Sequence, residues 1–348
     1  MLGSQSNVNP YIDDILAQPS ALRTSLDRFQ EAALQTIKLS DFDRVIISGM
    51  GSSYYAAYPA LIELSSPAVP VQLVNAAELL HSLSGMIGPR SLLWLNSQSG
   101  RSAELVNLLE QIQAFPPARL LTFVNDTSSP TGQRADVCIP IHAGEEATVS
   151  TKTYGNMLAV NLLAAIQLMG GALDRARSNL FAAAHAMEHY LRDWQALTQE
   201  MDFLLGEFKQ LFFIGRGASL SAVWNGSLIN KEAAKCAFEG MHAADFRHGP
   251  LELVEEGFTA LIFAGATTME ADLNRSLAQD ILARGGKVIW LDSKHDPAIP
   301  TFLLPETSGL VLPLVEILPM QMLTLVMANR KGIEAGHFRH VSKVTSRE

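Results

Sequence analysis

Val45-Ile46-Ile47-Ser48-Gly49-Met50-Gly51-Ser52-Ser53 is an apolar run that enters a Gly-x-Gly-x-Ser turn and continues into an alanine-containing helical pattern. The phrase returns 166 positions later as Phe212-Phe213-Ile214-Gly215-Arg216-Gly217-Ala218-Ser219, an offset that also carries Ala56 onto Ala222. A second run and turn follow each copy. Leu92-Leu93-Trp94-Leu95-Asn96-Ser97-Gln98-Ser99-Gly100 is matched by Ala260-Leu261-Ile262-Phe263-Ala264-Gly265-Ala266-Thr267-Thr268, with Ser97 and Gly265 168 positions apart and Glu104-Leu105 falling on Asp272-Leu273. Two copies of one α/β unit are the simplest account.

Such turns have a specific physical use. Glycine lets the backbone take φ > 0 and approach a ligand closely, and the following helix offers free N–H groups and the positive end of its dipole to an anion. A lone Gly-x-Gly also serves simply to pack a helix on a sheet, and both readings are open on that turn alone. The Ser-Gln-Ser-Gly turn adds several small donors at the carboxyl end of a strand, where open α/β sheets bind ligands. The copies are chemically unequal. The first keeps Ser52, Ser53, Ser97, Gln98, Ser99 and Ser102, whereas the second offers Ala218, Ala266, Thr267 and Met269. A phosphate is therefore expected in the first copy.

The chain has 348 residues, a length that suggests about two domains, and 48% of it is hydrophobic, enough to fill two cores. Its net charge of −9 argues against a nucleic-acid partner, which would require clustered Lys and Arg. Two cysteines, Cys138 and Cys236, make no disulfide framework, and the chain opens with no basic apolar leader, so the expected location is the cytoplasm. Met157 to Leu173 and Leu310 to Met327 are apolar, but they are interrupted by Asn161, Gln167, Gly170 and Gly171, and by Pro313, Glu316 and Pro319. Both read as core elements, and no membrane partner is expected.

Organisation follows the repeat. An N-terminal helical segment spans 1–38, with Ile12, Ile15, Leu16, Leu22, Leu26 and Phe29 at roughly helical spacing. A first α/β unit covers 39–175, with strands Val45 to Ser48, Val71 to Val74, Leu92 to Asn96, Leu120 to Val124 and Val137 to Pro140. A charged, alanine-rich helical connector runs from about Arg175 to Phe208 and is assigned as 176–208. A second α/β unit covers 209–329, with strands Leu211 to Gly215, Ala260 to Ala264, Val288 to Leu291 and one near Leu310 to Pro313. A tail covers 330–348. Alternating strands and helices imply two tandem doubly wound parallel sheets, each covered on both faces. His185 and His189 are spaced i, i+4 without a third ligand, so they read as a solvated face and no metal is expected.

Gly51-Ser52-Ser53-Tyr54, Ser97-Gln98-Ser99-Gly100, Ser150-Thr151-Lys152, Gly215-Arg216-Gly217, Lys231-Glu232 and Phe246-Arg247-His248-Gly249-Pro250, taken in order, resemble the motif series of the sugar isomerase (SIS) family. The resemblance runs from Ile15-Leu16-Ala17-Gln18-Pro19 to Ser342-Lys343-Val344-Thr345. It is strongest to the isomerase half of glutamine:fructose-6-phosphate amidotransferase and to stand-alone amino-sugar-phosphate deaminases and fructosamine-phosphate deglycases. It implies two SIS domains, each a flavodoxin-like three-layer sandwich. It also implies a sugar-phosphate substrate held by Gly51, Ser52, Ser53, Ser97, Gln98, Ser99, Ser102 and Ser150. Glu232 falls on the family's base for moving a proton between C1 and C2, and His248 on its ring-opening histidine, which in relatives reaches a neighbouring subunit. Lys343 falls on a tail lysine that forms a Schiff base in the amidotransferase. A composite site of this kind implies at least a homodimer, and the chemistry calls for no cofactor.

Without the resemblance, Glu232 among Lys231, Lys235 and Glu239 also reads as a charged helix face, and His248 as a loop histidine. Three departures narrow the function. The chain begins Met1-Leu2-Gly3 without a glutaminase module, Asn225 and Ile229 stand where the amidotransferase helix has an acid and a lysine, and Arg101 and Ser102 follow the serine turn. These favour breaking a C–N bond over making one. The leading expectation is an isomerising deaminase for a hexose 6-phosphate derivative such as glucosamine 6-phosphate. The alternatives are a fructosamine-phosphate deglycase and a non-catalytic sugar-phosphate sensor.

Overall fold

Both repeated runs are strands at the centres of two separate parallel sheets. The computed structural model describes residues 9–65, 69–307, 309–340 and 342–343. The first sheet holds β1 (Arg44–Gly49), β2 (Val71–Asn75), β3 (Ser91–Ser97), β4 (Arg119–Val124) and β5 (Val137–Pro140), ordered β2-β1-β3-β4-β5. The second holds β6 (Gln210–Gly215), β7 (Glu239–His242), β8 (Phe258–Phe263), β9 (Lys287–Asp292) and β10 (Thr301–Leu303), ordered β7-β6-β8-β9-β10. The two orders are the same, every pairing is parallel, and the order reverses between the first two strands of each unit. That reversal opens a crevice at the carboxyl edge, the usual ligand position in such sheets.

Helices α1 (Pro10–Asp27) and α2 (Glu31–Leu34) precede the first sheet, which is covered by α3 (Gly51–Ala56), α4 (Tyr58–Leu64), α5 (Ala76–His81), α6 (Ala103–Gln111), α7 (Pro130–Gln133) and α8 (Lys152–Leu168). Next come α9 (Leu173–Leu191) and α10 (Trp194–Leu205). The second unit carries α11 (Leu220–Ala234), α12 (Ala243–Arg247), α13 (Thr268–Ala283) and α14 (Pro313–Arg330). Side chains alternate across each strand and so feed two cores. Val45 and Ile47 join Phe213 in one large cluster with α8, α11 and α14, while Ile46 faces α5 and α6, and Phe212 and Ile214 face α12 and α13. One shared core therefore joins the two sheets, and each sheet keeps a private outer layer.

The segment Gly309–Arg330 has the length and composition of a membrane span, yet 94% of its most apolar window is buried against the rest of the protein. Several of its polar groups find partners inside the core. Gln321 and Gln18 exchange hydrogen bonds of 2.8 and 2.9 Å, and Ser219 Oγ donates to Glu316 at 2.7 Å. Burial pushes the Glu316 carboxyl up to about 8, so it is held as a neutral acid at pH 7.

The structure corrects one strand and refines two helical segments expected from the sequence. Leu310 to Pro313 is not a strand; it belongs to a 3-10 turn, Gly309–Val311, that leads into α14, and its apolar run could not by itself distinguish a short strand from a buried helix start. The fourth and fifth partners of the second sheet are instead β7 and β10, short strands whose polar residues conceal them. The connector is two helices, α9 and α10, broken at Arg192 and Asp193. The N-terminal helix stops at Asp27, and α2 is a separate turn.

Candidate functional site

One cavity of about 290 Å³ at the crevice of the first sheet gathers Gly51, Ser52, Ser53, Ser97, Gln98, Ser99, Ser102, Ser150, Glu232 and Lys343. These residues come from five places in the chain: the turn after β1, the turn after β3, the segment before α8, the end of α11, and the tail. Gly51 has φ 51°, the left-handed conformation the repeat requires, and Gly217 at the matching turn has φ 55°. The serine turn is fixed from beneath. Ser97 Oγ accepts Gly100 N–H at 3.0 Å, Ser99 Oγ accepts Arg101 N–H at 3.1 Å, and Gly100 C=O accepts from Thr131 N–H and Oγ at 3.2 and 2.9 Å. A side chain at Gly100 (φ 62°) would place its Cβ 1.9 Å from Ser129 Oγ. With their oxygens engaged as acceptors, the Ser97 and Ser99 hydroxyls have protons to give to an acceptor-only group such as phosphate.

Several polar atoms around this cavity lack a protein partner among the described residues. They are Ser102 Oγ, Thr148 Oγ, both side-chain polar atoms of Asn96 and Glu104 Oε2, all buried. Ser102 begins α6, but its hydroxyl makes no capping bond. Such unpaired groups leave hydrogen-bonding capacity around the cavity for a polar ligand.

The catalytic candidates line the same cavity. Glu232 stands in the last turn of α11, which packs on α3 of the first unit and so reaches across from the second. Burial pushes its carboxyl up to about 7, opposed by Lys235 and Lys343 and reinforced by Glu146. Lys343 Nζ donates to Glu146 Oε2 at 2.9 Å and to Thr148 C=O at 3.0 Å. The Glu146 side chain has 0% exposure and also accepts from Thr151 N–H, Thr151 Oγ, Thr153 N–H and Thr153 Oγ at 2.9, 3.1, 3.0 and 2.7 Å. It thus fixes both the start of α8 and the tail lysine. The tail is guided there by Asn9 Nδ2 donating to Ala335 C=O, Gly336 N–H to Ala233 C=O, and Lys235 Nζ to His337 C=O. Glu146, Glu104, Asn96 and Thr148 were not singled out from sequence. Glu146 lies four residues ahead of Ser150, and its acidity beside a serine-threonine turn is the one signal that could have found it.

The model of the SIS domain matches residues 38–167 and 204–304 of this chain. The chain belongs to the SIS family. A glutamine–fructose-6-phosphate aminotransferase (isomerizing) of Thermococcus kodakarensis is 28% identical over 346 residues, covering 95% of this chain and 57% of its own length. The chain thus spans a little over half of that relative. Among solved structures, the C-terminal domain of glucosamine-fructose-6-phosphate aminotransferase from Francisella tularensis superposes with a TM-score of 0.84 at 21% identity, covering 97% of this chain and all of that one. A glucosamine-6-phosphate deaminase from Thermotoga maritima gives 0.76 at 17% identity over 96% of this chain and 99% of its own. At these identities the two structures speak for the SIS fold.

The second SIS unit fills its own cradle. Glu270 Oε2 accepts Ala266 N–H at 2.8 Å and Thr267 N–H at 3.0 Å, and it shares a reciprocal capping box with Thr267 at the start of α13. A Cβ placed on Gly217 would lie 1.9 Å from Glu270 Oε1, so this carboxylate occupies the space between the two glycine turns where an external anion would sit. His248 is not in the cavity of its own chain. It caps the end of α12, beside β7 at the edge of the second sheet, and is exposed. His185 and His189 are exposed on α9, and no cluster of three metal-ligating side chains occurs among the described residues. Val344 and Thr345 of the tail motif lie outside the described residues, as do Met1 to Gly3.

Proposed function

We propose that this SIS protein is an isomerising deaminase acting on a hexose 6-phosphate derivative, with glucosamine 6-phosphate as the model substrate. The observation that carries this reading is the meeting, in one cavity, of a serine turn with free donors and a buried carboxylate pushed up to about 7. A base with that proton affinity is suited to taking a carbon-bound proton and giving it back near neutral pH. The substrate's phosphate lies against Ser52, Ser53, Ser97, Gln98, Ser99, Ser102 and Ser150, which directs its reacting end toward Glu232 and Lys343. His248 of a second copy assists ring opening, so the working unit is a homodimer, and its location is the cytoplasm. Glu232 then removes the proton from C2 and returns it to C1. The Lys343 ammonium steadies the oxygen charge of the intermediate. Water adds to the C2 imine, the C–N bond breaks, and ammonia leaves a ketose 6-phosphate. The name of the Thermotoga maritima neighbour supports this reaction class, and that of the Thermococcus kodakarensis relative supports the sugar phosphate.

The test is solvent-deuterium exchange at C1 and C2 of amino-sugar and ketose phosphates. Wild-type protein should exchange, Glu232→Gln should bind without exchanging, and mixed Glu232→Gln and His248→Ala subunits should recover part of the activity. Tight binding by the wild-type protein with no exchange on any substrate would leave a sensor instead.

A further inference from the structure

The serine-turn end of the cavity holds a carboxylate that neither the fold nor the proposed reaction uses. Glu104 stands in the first turn of α6, two residues after Ser102, and lines the cavity together with Asn96, Ser97, Ser99 and Ser102. It is 8% exposed, and its Oε2 is buried with no hydrogen-bond donor among the described residues. A carboxylate early in a helix ordinarily serves the free N–H groups of that turn. Glu104 Oε2 serves none of them, and a buried acceptor left without a donor is costly. The missing donor has to arrive with whatever fills the cavity.

The charges around the cavity restrict what that donor is. Among the described lining residues Lys343 is the sole cation, and it already pairs with the buried Glu146 at 2.9 Å. Glu232 adds a second carboxylate to the lining. Arg101, in the serine turn, is held by Asp126 at 2.8 Å. Of the helices packed on α6, α7 has no charged residue, and α5 carries Glu78 and His81, both exposed to solvent. A phosphate dianion brought against this lining would set acceptor against acceptor, because a carboxylate and a dianionic phosphate have only lone pairs to offer. One proton between them turns the repulsion into a short, charge-assisted O–H···O bond.

We propose that Glu104 is a specificity residue that shares one proton with the substrate's phosphate, so that the site takes a phosphate monoester in its singly charged form. This deepens the proposed function and rests on it. The proton is taken from solvent on binding and returned on release, and no covalent bond to carbon or phosphorus is made or broken. The serine hydroxyls donate to the other phosphate oxygens, while Glu104 accepts. A sulfate ester has the same shape but stays unprotonated at neutral pH, so it lacks the proton this carboxylate requires. Donors alone would hold either ester; the buried acceptor tells them apart.

The test uses the Glu232→Gln protein, in which no turnover intervenes and that carboxyl no longer titrates. Binding of fructose 6-phosphate and of fructose 6-sulfate is measured by calorimetry at pH 6 and pH 8, in two buffers of different ionisation enthalpy so that proton uptake is read directly. Phosphate monoesters lose their second proton near pH 6, so fructose 6-phosphate should take up about one proton per molecule bound at pH 8 and bind roughly 50-fold weaker there than at pH 6. Fructose 6-sulfate should bind at least about tenfold weaker than the phosphate at pH 6. Adding Glu104→Gln puts an amide donor in place of the acceptor: proton uptake should vanish, the pH dependence should flatten, and the sulfate should approach the phosphate in affinity. Proton uptake and sulfate discrimination are read with Glu104 in place, so they decide the matter even where Glu104→Gln fails to fold. Absence of proton uptake at pH 8, equal affinity for the two esters, or a pH dependence unchanged by Glu104→Gln overturns the role of Glu104 and leaves the proposed function standing. Failure of fructose 6-phosphate to bind at either pH overturns both.

Discussion

Replacing Glu232 with Gln should make the protein more stable at pH 8 while destroying its chemistry. Burial raises this carboxyl from its ordinary 4.5 to about 7, so the folded state prefers the protonated form. Below pH 4.5 both folded and unfolded forms are protonated and the site carries no penalty. As pH rises from 4.5 to 7 the unfolded chain ionises first, the folded state holds the extra proton, and stability is lost; above 7 the penalty is complete. A shift of this size corresponds to about 3 kcal/mol, and partial exposure of Glu232 together with screening reduces it to about 1–3 kcal/mol. Gln is neutral throughout and never incurs the penalty. Chemical denaturation of both proteins at pH 5 and pH 8 should therefore show a small gain for the variant at the lower pH and a gain several times larger at the higher. In parallel, wild-type kcat/KM should fall about tenfold per pH unit below 7 as the base is protonated, and the variant should lose about 10² to 10⁴-fold. A stability difference that is the same at both pH values would refute the argument, because only ionisation of Glu232 makes it vary.

Ser97→Ala with Ser99→Ala removes two hydroxyls that line the cavity, each worth about 1.5–3 kcal/mol to a charged acceptor, so sugar-phosphate affinity measured by calorimetry should collapse; the turn also loses two internal hydrogen bonds, so the melting temperature should fall modestly while the fold survives. Glu270→Ala empties the second cradle and removes the α13 capping box, and should destabilise the protein by about 1–2 kcal/mol. Millimolar inorganic phosphate should then raise the melting temperature of the variant more than that of the wild type, since two backbone N–H groups have lost their internal anion; an equal rise in both would mean that the cradle does not accept it.

The sequence carried the central strands because they are fully buried and therefore written in uninterrupted Val, Ile, Leu and Phe, with glycine at the turn that must take φ > 0. The two edge strands of the second sheet were less visible, because Glu239–His242 and Thr301–Leu303 are short and carry mixed residues, whereas the edges of the first sheet kept enough Val and Ile to be read. The cradle was legible because backbone and hydroxyl donors must cluster locally around an anion. Glu232 and Lys343 were harder to read, because nothing near either residue states that α11 and the tail converge on the first sheet; the ordered motifs supplied what local chemistry could not. Glu146 escaped altogether. Its role appears when five donors, from Thr151, Thr153 and the distant Lys343, meet on it; the serine-threonine turn is a weak local sign of this, and the tail lysine leaves none.

The position of Glu232 in its helix has a consequence of its own. It stands in the final turn of α11, where the peptide dipoles leave unpaired carbonyls and a partial negative charge. A carboxylate placed there holds its proton more strongly than one at the opposite end, where the phosphate-cradle geometry of the second unit begins. The one helix thus has two electrostatic ends: its positive end follows the turn at Gly215 and Gly217, against which the Glu270 carboxylate packs, and its negative end raises the proton affinity of a carboxylate that faces the cavity of the first unit. Lys235, whose ammonium bonds the Glu232 carbonyl, moderates that field, so the charge on this lysine sets how strong a base the site can hold.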